Sequence, residues 1–513
     1  MKSRRIVIAA IAFTAFAAGQ VNADVKPHPL FCDNMVLQQG IKASVWGTAD
    51  PGEKLTVSIA GQTAEATADK AGSWMTRLNP MTPGGPHEMT ITGRNTVKIG
   101  NVMVGEVWLC SGQSNMGMEV REAMNATEEI ASADYPDIRL FDVPPHIRDE
   151  PARDVQAQWR PCSPQTVPRF SAAGYFFGRQ LHRELKVPVG LMSGAQGSSP
   201  AEAWTEIEAL KGAIHDPVGR WQRQVRQEQE FRAKYETELA AWELAAAKAK
   251  AENKEPPKKP EAPYFLGRAR IAQPAGLWNG TIAPLVPYGI RGVIWYQGES
   301  NAPRGTEYRK LLPAMIGSWR KEWGQGDFPF LIVAIAPFGP VYDHPTESGW
   351  AEVVEAQWMT AEAVPNCGLV VTTDIGDAKS AHPTNKQEVA RRLALIALAK
   401  VYGKDAVCSG PVYTSMQVEG NRVRLHFKEI HGGLMAKPDG PLKGFAVAGE
   451  DRHFVWAEAR LDGDTVVVWS DQVAKPVAVR CAWAQNPVCN LFNAEGLPAV
   501  PFRSDDWEQA APK

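Results

Sequence analysis

The segment Glu106-Val-Trp-Leu-Cys110-Ser-Gly-Gln-Ser-Asn-Met116 is an apolar run that ends in glycine and small polar residues. Runs of the same kind recur at 187–193, 292–296, 330–335 and 369–373, with helical segments between them. Continuous apolar strands alternating with helices predict a parallel sheet covered on both faces, because such strands have no solvent side. Open sheets of this kind bind ligands beyond the carboxyl ends of their strands. Ser114 therefore sits where a site is expected.

Outward from this α/β region, spanning about 101–404, the chain changes character. Residues 24–100 hold short β-like runs separated by Pro51-Gly52 and Pro83-Gly84-Gly85, which predicts a small β-sandwich-like module. A second β module is expected over 405–513, with a hairpin across 417–426. Inside the α/β region, 219–252 is dense in Glu, Gln, Arg, Lys and Ala and predicts a long charged helix. It belongs to a helical insertion of about 205–265 that ends in the Pro256-Pro-Lys-Lys-Pro260 linker.

The whole chain has 513 residues, too many for one compact core at ~150 residues per domain. Its formal charge of −2 argues against a nucleic-acid partner, which favours a basic excess. Lys2, Arg4 and Arg5 precede an apolar run over 6–18 and a small-residue site at Val21-Asn22-Ala23, so 1–23 reads as a signal peptide. The mature protein is then expected to be periplasmic or secreted, with no membrane anchor. Export permits disulfides, yet there are seven cysteines, so at least one thiol stays free. Cys481 and Cys489 are a candidate hairpin bridge. No C-x-x-C occurs and the ten histidines are scattered, so no metal or other cofactor is expected.

Three more segments bring chemistry to the strand ends. Gly194-Ala-Gln-Gly197 follows the second run, and a glycine there can present its N–H to an oxyanion. Trp295-Tyr-Gln297-Gly-Glu299-Ser-Asn301 ends the third run and offers amide donors. Asp374-Ile-Gly-Asp377-Ala-Lys-Ser-Ala-His382-Pro383 supplies a base on a short loop. Thr384-Asn-Lys-Gln387 reads as the capping box of a helix that runs to about 402, with Gly403 closing it. Position 116 is Met, so Ser114 does not lie in a G-x-S-x-G elbow.

Together, Gly112-Gln-Ser-Asn-Met116, Trp295-Tyr-Gln-Gly-Glu-Ser-Asn301, Gly376-Asp377 with His382-Pro383, and Gly276-Leu-Trp278-Asn-Gly280 resemble the sialate O-acetylesterase family of SGNH hydrolases. The resemblance spans about 110–400 and implies a flavodoxin-like three-layer α/β/α core that removes O-acetyl groups from sugars without a metal. It implies Ser114 as nucleophile, His382 as base, and the N–H groups of Ser114 and Gly197 as oxyanion donors. Gln297 is the first choice for a third donor and Asn301 the alternative, with Glu299 bracing the loop and Trp278 on the sugar side. The superfamily's acid three residues before the His is absent, because position 379 is Lys. Asp377 is the favoured replacement, with Asp374 or a bare Ser–His dyad as alternatives. The expected substrates are 9-O-acetylated sialic acids. An acetylated plant polysaccharide such as xylan or xyloglucan is the second reading, and a non-catalytic glycan-binding protein the third.

Overall fold

A single long strand, β1 (Thr96–Gly112), organises the chain. In this computed structural model, residues 24–263 and 265–507 are described, and the expected leader at 1–23 lies outside them. The first half of β1 pairs antiparallel with Gly84–Thr92 and parallel with Val36–Gln38. Its second half lies between two parallel strands, β4 (Val189–Ala195) and β5 (Gly292–Tyr296). One strand thus crosses the expected border near 100 and joins the amino-terminal strands and the α/β region in one sheet.

The α/β part of that sheet also contains β2 (Tyr135–Asp142), β3 (Trp159–Cys162), β6 (Phe330–Val333) and β7 (Cys367–Val370), in the order β3-β2-β4-β1-β5-β6-β7. Every pairing is parallel except β3 with β2. From β1 the chain lays down β2 and β3 on one side, returns to place β4 against β1, then continues on the other side with β5, β6 and β7. The carboxyl ends of β4, β1 and β5 therefore flank the switch point of the topology.

Alternating side chains along each strand feed two separate cores. Trp108, Cys110, Leu191, Ile294 and Leu331 pack with α1 (Ala172–Leu185) and α5 (Lys386–Ile396). Val107, Leu109, Val293, Trp295 and Ile332 face the opposite way, toward α3 (Gly305–Trp323) and α4 (Gly349–Ala363). Both faces being buried explains why these strands carry no polar alternation. The second face is dominated by Trp204, Trp295, Trp319 and Phe330, with adjacent ring centroids 5.8–6.3 Å apart. The insertion is a 35-residue helix, α2 (Pro217–Ala251).

Beyond 405, two four-stranded sheets share one apolar cluster, with Val423, Leu425, Val466 and Val468 from one and Phe445, Val447, Val479 and Cys481 from the other. The candidate bridge between Cys481 and Cys489 is not formed: both are free thiols, and burial raises both, Cys489 to about 11. Among the described residues no helix is long and apolar enough to cross a membrane.

Glu106, fully buried at mid-β1, fastens three parts of the chain. Its carboxylate accepts from Arg291 Nε at 2.6 Å and Nη2 at 3.0 Å, from Tyr402 hydroxyl at 2.9 Å and from Gln38 Nε2 at 3.3 Å. Removing one member of a buried ionic network leaves the others unsatisfied, at a cost of about 3–5 kcal/mol. Glu106→Ala is expected to lower stability by that amount, read as a fall in the urea midpoint. An unchanged midpoint contradicts the role assigned to Glu106.

Candidate active site

Gly112 closes β1 level with Ala195 of β4 and Tyr296 of β5. Its φ is +142°, and a Cβ there would collide with the Tyr296 carbonyl oxygen, so only glycine fits this position. The chain then turns into the short helical segment Ser114–Gly117, which puts Ser114 at its amino end. Ser171, the cap of α1, donates its hydroxyl to the Met116 carbonyl at 2.6 Å and holds this turn against the helix.

His382 reaches the same point from the loop after β7. Its Nε2 lies 2.7 Å from Ser114 Oγ, across 268 residues of sequence. Gly197, beyond β4, stands beside them: a Cβ built on it would lie 3.6 Å from the Ser114 Cβ. Among the described residues, no protein acceptor takes the N–H of Ser114 or of Gly197. A serine hydroxyl, an imidazole and a glycine thus lie together, with the Ser114 and Gly197 N–H groups free of protein acceptors among the described residues, an arrangement suited to acyl transfer.

The other expected residues take different places. Gln297 is fully buried, and its Nε2 faces Asn301 Oδ1 at 2.9 Å, the Ser199 carbonyl at 3.1 Å and Gln113 Oε1 at 3.2 Å. Asn301 donates to Glu202 at 2.8 Å and accepts from the Ala201 amide at 2.9 Å. Both amides therefore brace the strand-end loops. Trp278 is buried against Trp319 in the core, with ring centroids 5.9 Å apart, and not brought to Ser114. Asp377 accepts the Lys379 amide at 2.8 Å, while Asp374 forms a two-pronged pair with Arg392 at 2.6 and 2.7 Å. Among the described residues, neither carboxylate hydrogen-bonds His382.

What grips the histidine loop is a buried cluster of Asn115 and Lys386, which the sequence did not single out, together with Glu299, expected to brace its loop. Asn115, next to Ser114, donates both amide hydrogens, to Glu299 Oε1 at 2.6 Å and to the Ala381 carbonyl at 2.8 Å. Its Oδ1 accepts from Lys386 Nζ at 2.8 Å, and the same ammonium donates to the Pro383 carbonyl at 2.5 Å. The carbonyls on both sides of His382 are thereby tied to the residue beside Ser114. A signal for Lys386 was available, since a lysine in the first turn of a helix opposes the helix dipole. The cap itself is Asn385, whose side chain accepts from the Glu388 amide; Thr384 instead gives its carbonyl to the Met124 and Lys386 amides. Gln113 supplies a second tie, its Oε1 facing the amides of Gly298 at 3.4 Å and Ser300 at 3.3 Å.

The electrostatics follow from burial. Lys386 is wholly buried and pushed down to about 7, with Glu299 opposing the shift. Burial raises the Glu299 carboxyl, partly offset by Asn115 and Lys386, and its Oε2 has no partner. His382 keeps an exposed edge, yet partial burial and then the Lys386 charge hold it below its ordinary 6.5, against a smaller pull from Glu122. Among the described residues, no group of three or more His, Cys, Asp or Glu side chains is placed to hold a metal ion.

A family model described as carbohydrate esterase, sialic acid-specific acetylesterase, matches residues 279–399. The sialate O-acetylesterase of Mus musculus is 30% identical over 525 residues, covering 92% of this chain and 93% of its own. The Homo sapiens sialate O-acetylesterase is 29% identical, covering 92% and 90%. The crystal structure of a carbohydrate acetylesterase from Xanthomonas citri is 33% identical and covers 94% of this chain and all of its own, with a TM-score of 0.80.

A histidine held low stays neutral, and able to accept a proton, further into the acid range. Nuclear magnetic resonance titration is expected to place the His382 midpoint below 6.5 and to find it higher in Lys386→Met, where the neighbouring cation is gone. A wild-type midpoint at or above 6.5 contradicts this account.

Proposed function

The chain belongs to the sialate O-acetylesterase family, and on that premise we propose that Ser114 and His382 carry out its reaction. The protein is a carboxylic ester hydrolase that cleaves O-acetyl esters on sugars. The observation that carries the assignment of residues is the 2.7 Å contact between Ser114 Oγ and His382 Nε2.

In this reading Ser114 Oγ attacks the acetyl carbonyl while His382 Nε2 takes its proton. The carbonyl oxygen becomes an oxyanion facing the N–H groups of Ser114 and Gly197, each worth about 3–4 kcal/mol at the transition state. The C–O bond to the sugar breaks, and His382 returns the proton to the departing alcohol. Water, deprotonated by His382, then attacks acetyl-Ser114 and releases acetate. The grip of Asn115 and Lys386 on both flanks of His382 does the orienting that a carboxylate does in a triad, so the pair works as a dyad.

The relatives' names support O-acetylated sialic acids as the sugars, and within that class our reading takes the 9-O-acetyl ester as the substrate. The same reading takes 101–404 as an SGNH catalytic unit with a flavodoxin-like three-layer core, and 24–100 and 405–513 as β-sandwich-like modules. It takes 1–23 as a leader for export to the periplasm or beyond.

Purified, folded Ser114→Ala is expected to release acetate at under a few per cent of the wild-type rate, whereas Asp377→Asn keeps kcat/KM within about tenfold. Higher turnover by the serine variant removes Ser114 as nucleophile. A fall approaching 10⁴-fold in Asp377→Asn makes that residue the acid of a triad instead.

A further inference from the structure

The insertion helix α2 presents a chemically unusual stripe. Its only buried residue is Pro217, and 12 of its 35 residues are charged. Yet Pro217, Arg220, Trp221, Gln224, Glu228 and Phe231 fall within one arc of the helix at the i, i+3, i+4, i+7, i+11, i+14 spacing, and all six line one cavity of about 370 Å³. That volume lies within the ~300–1,000 Å³ typical of small-molecule sites.

A second part of the lining comes from the loops next to Ser114, while Ser114 and His382 themselves do not line the cavity. That part is made by Ser198 and Pro200, on the loop carrying Gly197, and by Glu299, Ser300 and Arg304, on the loop that Asn115 and Gln113 tie to Ser114. The two loops next to Ser114 and the insertion thus line one cavity together.

The insertion side is built to stay in place. Trp221 Nε1 donates to the Ala269 carbonyl at 2.7 Å, and Glu228 accepts the Gly267 amide at 2.6 Å and the Ala269 amide at 2.9 Å. Arg220 reaches across the cavity wall to Glu202 at 2.9 Å and Glu307 at 2.7 Å. Phe231 meets Phe265 edge to face, centroids 5.1 Å apart, while remaining 40% exposed. Helix packing alone would bury such rings. Fixed, part-exposed aromatic faces beside glutamine amides and guanidinium groups suit a sugar ring, whose C–H face stacks on aromatics while its hydroxyls meet polar groups.

We propose that this cavity is the subsite for the sugar whose hydroxyl leaves, with Trp221, Gln224 and Phe231 of the insertion determining which acetylated sugar is accepted. The proposal rests on Ser114 and His382 as the reacting pair and assigns the insertion to substrate choice. An acetyl group is small, so discrimination has to come from the alcohol half of the ester. A subsite of this kind acts on kcat/KM for sugar esters and leaves the acyl transfer itself alone.

The test uses the full-length enzyme with three esters: 9-O-acetylated sialic acid, acetylated xylo-oligosaccharide and p-nitrophenyl acetate. Trp221→Ala and Phe231→Ala empty the subsite, and Gln224→Trp fills it. For whichever sugar ester the wild type prefers, each variant is expected to lose at least about tenfold in kcat/KM, mainly through KM. Turnover of p-nitrophenyl acetate is expected to stay within about twofold. Unchanged kcat/KM on the sugar esters overturns the proposal. A parallel loss on all three esters also overturns it, because the insertion would then be supporting the reacting pair. The Ser114→Ala enzyme separates the underlying reading: residual turnover of p-nitrophenyl acetate there counts against the reacting pair and not against the cavity.

Discussion

The candidate site depends on Asn115, a buried amide in which both hydrogens and the oxygen have partners. It sits one residue from Ser114 and bridges the loop after β5, through Glu299, to the loop after β7, through Ala381 and Lys386. These loops lie far apart in sequence, and Asn115 ties both of them to the turn that carries Ser114. A buried amide can do this because each of its polar atoms finds a partner; one left unpaired would cost about 1–3 kcal/mol. The 2.7 Å contact between Ser114 and His382 follows from this fastening as much as from either residue.

Burial of Lys386 and Glu299 under the same turn adds an electrostatic consequence. Neither charge is comfortable away from water: Lys386 is pushed down to about 7 and the Glu299 carboxyl is raised. Buried ionisable groups of this kind concentrate at functional sites, because the scaffold bears their desolvation cost to fix a local field. The His382 imidazole is held low first by its own partial burial and then by the Lys386 charge. The arrangement departs from a triad, in which a carboxylate both orients the ring and stabilises its charged form. Here the carbonyls on either side of His382 are held by Asn115 and Lys386, which fixes the backbone carrying the ring, and Glu122 is the carboxylate that favours its charged form.

Much of the fold was legible because buried parallel strands have to be apolar along their whole length. The runs that became β1, β4, β5, β6 and β7 read plainly for that reason. β2 did not, since Tyr-Pro-Asp-Ile-Arg-Leu-Phe-Asp mixes charges and a proline into an edge-proximal strand. At the site, Ser114, Gly197 and His382 were legible as strand-end residues that the sheet brings together. Asp377 illustrates the limit: nearness to His382 in sequence did not become contact, because its carboxylate caps its own loop at Lys379. The resemblance put Gln297 forward as an oxyanion donor and Trp278 on the sugar side, whereas tertiary packing uses them as brace and core. Lys386 was missed because a lysine in a polar stretch ordinarily faces water, and only the fold reveals that this one is buried.

The central claim is that one serine, Ser114, forms the covalent acetyl intermediate with His382 as its base. The most direct measurement is to label the full-length protein with a fluorophosphonate, digest it and locate the modified residue by mass spectrometry. The account predicts a single label on Ser114, formed rapidly in the wild type and at least about 10²-fold more slowly in His382→Ala, where the general base is gone. Labelling at another serine, or equal rates with and without His382, would contradict it.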